Sequence, residues 1–137
     1  MMRKFMIIAA ACLLLCGCGG KKPVENLSVV GEWELTSVST KSAKVGNTTV
    51  NVYISFTESG TFELYQMIGE GRYTAFDGTY TLTENILTGK YSNGNSWGSV
   101  YEVSKNGENL VLSVQGGIEI DTYKKSSIPD SVKNNTY

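Results

Sequence analysis

From Val29 to Lys125 the chain alternates apolar and polar residues with period two, the pattern of strands buried on one face. Trp33, Leu35 and Ser37 alternate with Glu32, Glu34 and Thr36. Val50, Val52, Ile54 and Phe56 alternate with Asn51, Tyr53 and Ser55. After a turn at Glu58-Ser59-Gly60 the pattern resumes at Phe62 and Leu64. Beyond the break at Gly69-Glu70-Gly71, Tyr80 and Leu82 share a face, Glu84-Asn85 turns the chain, and Leu87, Gly89 and Tyr91 continue. Tyr101 and Val103 lead to Asn106-Gly107, a tight-turn signal, and then to Leu110, Leu112 and Val114. Past Gly116-Gly117, Ile118 and Ile120 alternate with Glu119 and Asp121, which assigns the isoleucines to the core and both carboxylates to solvent.

This rhythm predicts an all-β fold of about eight antiparallel strands joined in sequence, an up-and-down sheet. Eight strands is the number whose closed interior just holds side chains or one small ligand, and closure removes exposed edges. If the sheet closes around a ligand, its wall is the inward set Leu35, Val52, Ile54, Phe56, Phe62, Leu64, Tyr80, Leu82, Tyr101, Val103, Leu112 and Ile120. Tyr73, Tyr80, Tyr91 and Tyr101, with Trp97 in "YSNGNSWGS", suit the wall or mouth of a pocket. They suit the pleated surface of any sheet equally well. Residues 18–28 read as a polar tether carrying Pro23, residues 29–125 as one domain, and residues 126–137, polar and carrying Pro129, as a flexible tail.

Residues 1–17 follow another pattern. Arg3 and Lys4 precede an apolar run from Phe5 to Cys16, too short to span a membrane and laid out as a secretory signal. Leu15-Cys16-Gly17-Cys18 then resembles the lipobox of bacterial lipoproteins. The resemblance implies cleavage before Cys18 and acylation of Cys18 on both its sulfur and its new amine. Cys12 and Cys16 would leave with the leader, so the mature chain would hold no disulfide, no thiol nucleophile and no thiolate metal ligand. Two or more acyl chains make a membrane anchor effectively permanent. The resemblance implies the outer membrane as the address. Lys21 and Lys22, rather than acidic residues, follow the cysteine and favour its periplasmic face.

Composition narrows the chemistry. With Arg3 and Lys4 gone, 10 of the 12 basic residues stand against 13 acidic ones, a net charge of −3. The charges are scattered and form no basic stripe, so nucleic acid is not an expected partner. The chain has no histidine, which removes the commonest general base and metal ligand. Glu32 with Glu34 and Glu119 with Asp121 lie two residues apart, about 7 Å along a strand face, a spacing that could suit glycosidic chemistry. Both pairs fall opposite the apolar faces and read as solvated. No catalytic residue, metal or cofactor is expected.

"VGEWEL" adds a family. Gly31-Glu32-Trp33, just inside the first strand after a tether, resembles the Gly-x-Trp of lipocalins. In strand rhythm the region from Val30 to Lys125 resembles the short lipocalin-like domains of Bacteroides-type lipoproteins. The resemblance implies that Trp33 plugs the closed end of the barrel near Gly31, with Lys124 or Lys125 across its ring. It also implies a small hydrophobic or amphipathic ligand inside. The alternative is an envelope module with a side-chain-filled barrel that contacts a protein or glycan through "SNGNSWGS" and "GEGRYTAFDG".

Overall fold

The computed structural model describes residues 27–40 and 50–137. The leader, Cys18, the tether up to residue 26 and the segment 41–49 lie outside the described residues. The strands are β1 (Gly31–Thr40), β2 (Val50–Phe56), β3 (Thr61–Ile68), β4 (Thr74–Thr83), β5 (Ile86–Tyr91), β6 (Tyr101–Asn106), β7 (Asn109–Val114) and β8 (Glu119–Lys125). Each pairs antiparallel with the next, and β8 pairs with β1 to close an eight-stranded up-and-down barrel. The short connections use turn chemistry suited to hairpins. Glu84 and Asn85 sit at φ 50° and 63° between the paired Thr83 and Ile86, the left-handed geometry of a two-residue type I′ turn.

Alternation is read correctly in β2, β3 and β7, where Val52, Ile54, Phe56, Phe62, Leu110 and Leu112 are all buried. Two strands differ from expectation. A register shift between Leu35 and Ser37 bulges β1, so that Val38, not Ser37, lies opposite the buried Asp121. The extra residue moves the strand onto the other parity. In β8, Asp121 pairs with Leu112 and Tyr123 with Leu110, which turns Asp121 and Tyr123 inward and Ile120 outward. Ile118 is 64% exposed. The expected assignment of β8 was thus one residue out of phase, and a one-residue slip exchanges the two faces of a strand.

Trp33 is 2% exposed and plugs one end of the barrel. Its Nε1–H donates to the Val29 carbonyl at 2.8 Å. Val29 is itself fully buried, and the amide of Leu27 donates to Asn85 Oδ1 at 2.9 Å. The chain therefore enters across the base and seals it. Lys125 Nζ lies 5.8 Å from the Trp33 ring centroid, while Lys105 of β6 lies closer, at 4.4 Å. Lys124 is not part of this stack; it points outward and pairs with Glu34 at 3.3 Å.

The tail is not loose. Ile128 and Val132, the latter on the short α1 (Asp130–Lys133), are buried against Tyr73, Tyr53, Tyr65 and Met67 on the outer side of the sheet. Tyr73 N donates to the Asn135 carbonyl at 2.9 Å and Tyr137 N to the Tyr73 carbonyl at 3.1 Å. Lys133 pairs with Glu32 at 3.5 Å. Two apolar residues in a polar segment are enough to dock it.

Candidate functional site: a cavity in the barrel

β5 and β6 pair only at Ile86↔Glu102 and Leu87↔Tyr101. Toward the other end of β5, the loop of residues 92–100 takes the place of the missing partner. Trp97 N donates to the Gly89 carbonyl at 2.8 Å and Tyr91 N to the Asn95 carbonyl at 2.7 Å. This lays the Trp97 indole against Gly89, where a Cβ would stand 2.1 Å from the ring. Only glycine leaves room for it. The indole meets Phe62 edge-on at 5.0 Å and Tyr101 at 6.1 Å between centroids.

Beneath that loop lies a cavity of about 280 Å³ lined by Ile54, Leu64, Tyr91, Trp97, Gly98, Ser99, Tyr101, Leu112, Asp121 and Tyr123. A second hollow of about 480 Å³ opens where the loop 92–100 lies along β4 and β5, the seam left by the missing β6 partner, and shares Trp97 and Ser99 with the first. Trp97 thus divides interior from seam. The cavity lies toward the loop 92–100 end of β6, whereas the β6–β7 turn beside Lys105 belongs to the plugged end.

Of the expected wall, Ile54, Leu64, Tyr101 and Leu112 line this cavity. Val52, Phe56, Phe62 and Val103 are buried in the core around it, and Leu35 and Leu82 pack against that core partly buried. Tyr80 packs edge-on against Phe56 at 4.9 Å and lines the seam hollow, its hydroxyl donating to the Thr57 carbonyl at 2.6 Å. Ile120 faces away. Of the tyrosines, Tyr91 and Tyr101 reach the cavity, as does Trp97, whereas Tyr73 belongs to the cluster under the tail.

Asp121 and Tyr123 had no signal in the alternation. Their signal was register: a hairpin leading back from Leu110 and Leu112 sets them opposite those two residues. Asp121 is 9% exposed, and its Oδ1 has no hydrogen-bond partner. Burial, followed by the charge of Glu119, pushes its carboxyl up from 3.8 to about 6. Burial likewise raises the phenols of Tyr101 and Tyr123, and Asp121 adds to both shifts. The other carboxylate pair, Glu32 and Glu34, holds Lys133 and Lys124 in ion pairs on the outside.

A closed eight-stranded barrel, plugged at one end by a tryptophan under lysine side chains and hollow towards the other, defines a class of small cup-shaped domains. Residues 29–112 match the family model of the lipocalin-like domain, and the chain belongs to that family. The match ends within β7, so β8 with Asp121 lies beyond it. Among solved structures, a mutant of the fluorescent protein UnaG is similar at a TM-score of 0.41 and 13% identity, over 72% of this chain and 96% of that one. No curated protein sequence matches.

Proposed function

We propose that the chain is a non-enzymatic, lipid-anchored binding barrel of the bacterial cell envelope that takes a small, largely apolar molecule into its interior. The observation that carries this reading is the cavity of about 280 Å³ between Leu64, Leu112 and the aromatic rings. It stands just below the range of roughly 300–1,000 Å³ typical of small-molecule pockets, so the ligand is compact. Native mass spectrometry of the chain purified from its own host tests the reading. A small adduct on the wild type that is lost in Leu64→Trp, which fills the cavity, is the expected result; a bare chain in both would overturn it.

The lipobox-like Leu15-Cys16-Gly17-Cys18 supports anchoring through acylated Cys18 at the outer membrane, with the periplasmic face favoured by Lys21 and Lys22. Cys18→Ala is expected to abolish labelling by a fatty-acid analogue and to release the chain from membranes. Normal labelling of that variant would refute the anchor. A second reading, an envelope interaction module, draws on Ile68, Phe76 and Tyr137, exposed apolar side chains around one surface hollow.

A further inference from the structure

The apolar walls of the cavity leave two polar groups unanswered. Asp121 Oδ1 and Trp97 Nε1 are both buried without a hydrogen-bond partner, and both residues line the same space. Buried polar groups are ordinarily paired, and an orphan calls for an explanation. One is an acceptor carrying charge and the other a donor. Four aromatic residues, Tyr91, Trp97, Tyr101 and Tyr123, line the same cavity as the carboxylate, and Tyr101 and Tyr123 lie near enough to feel its charge. Aromatic faces attract cations, and an aromatic box is a recurrent way of holding an organic ammonium. Glu119 lies two residues from Asp121 on the same strand face, exposed at the end of β8 away from the tryptophan plug, and extends the negative field outward.

Resting on the reading of the barrel as a binding domain, we propose that this cavity takes a small organic amine. Its ammonium sits on the Asp121 carboxylate among the rings, and a hydrogen-bond acceptor elsewhere on the molecule answers Trp97 Nε1–H. An anionic ligand would meet Asp121 and Glu119 as like charges, and a wholly apolar one would leave both orphans unpaired.

The groups facing Asp121 set the pH behaviour. Its cross-strand neighbours are the apolar Leu112 on β7 and Val38 on β1. Tyr123 and Glu119 come from its own strand and Tyr101 from β6, each near enough to be coupled to it. The phenols stay neutral across the working range, so the carboxyl is the group that titrates, and amine binding is lost as it takes up a proton on acidification.

Calorimetric titration of the full chain with 2-phenylethylamine, 2-phenylethanol and phenylacetate tests the proposal. At pH 7.5 the amine is expected to bind at least about tenfold more tightly than the alcohol, with phenylacetate weakest, a factor of ten being about 1.4 kcal/mol. That preference should vanish at pH 5 and in Asp121→Asn, which keeps the shape and removes the charge. An alcohol that binds as tightly as the amine overturns the amine assignment and leaves the binding reading standing. No binding of any probe to the folded chain overturns both. Trp97→Phe is expected to weaken 2-amino-1-phenylethanol, which offers an acceptor, more than 2-phenylethylamine. Equal loss for the two would reduce Trp97 to a wall and remove that half of the proposal.

Discussion

Trp33 joins three parts of the molecule at the plugged end: the incoming chain through Val29, β6 through Lys105 and β8 through Lys125. Trp33→Ala would leave a large void and an orphaned carbonyl, and is expected to cost about 3–5 kcal/mol in denaturant unfolding; a loss below about 1 kcal/mol would contradict a plug. Asp121 acts in the opposite sense. Its carboxyl titrates near 6 in the folded state against 3.8 ordinarily, so the folded chain binds the proton more tightly. The stability contributed by the neutral form is complete below about pH 4, falls as the pH rises to about 6, and is absent above. Asp121→Asn is therefore expected to stabilise the barrel at pH 8 by about 1–2 kcal/mol, allowing for solvent in the cavity. The gain should disappear at pH 4. Unfolding of both forms at the two pH values checks this, and equal stability at pH 8 would mean that the carboxylate is solvated.

At the scale of elements, the strand rhythm was plain in sequence and the phase of individual strands was not. β2, the first half of β3 and β7 carry an apolar residue at every second position, so Ile54, Leu64 and Leu112 could be assigned to the interior directly. The bulge after Leu35 leaves no mark in composition, and Ile118, just before β8, and Ile120 within it pointed to the wrong face. The inner side of β8 belongs to Asp121, Tyr123 and Lys125 because Leu112, Leu110 and Trp33 lie opposite them, a constraint from partners far away in the chain. Lys105 escaped notice for the same reason: its ring partner lies on another strand. The C-terminal segment hid its role behind polar neighbours, although Ile128 and Val132 are both 4% exposed. Ile128→Ala is expected to destabilise the domain by about 2–4 kcal/mol, as deletions in packed clusters do. A change within about 0.5 kcal/mol, the usual range for a surface site, would mark the segment as undocked.

For the whole molecule, the two ends of the barrel divide the labour. Leu27 and Val29 bring the chain in at the plugged end, and the cavity lies towards the loop 92–100 at the other. Nine positions separate Cys18 from Leu27, which an extended chain covers in at most about 30 Å. An acylated Cys18 would thus hold the base of the cup near the membrane and leave the hollow end to exchange its ligand with the aqueous compartment. Whether this interior admits a small molecule can be read from its tryptophans. The chain has two tryptophans, one in the plug and one in the cavity wall, so each indole N–H reports on one end. Nitrogen–proton correlation spectra of the full chain, titrated with the neutral 2-phenylethanol, report both signals at once. Binding in the interior predicts a saturable shift of the Trp97 indole signal with the Trp33 signal still, and loss of that shift in Leu64→Trp. A Trp97 signal that stays fixed, or that moves equally in the filled variant, would contradict it.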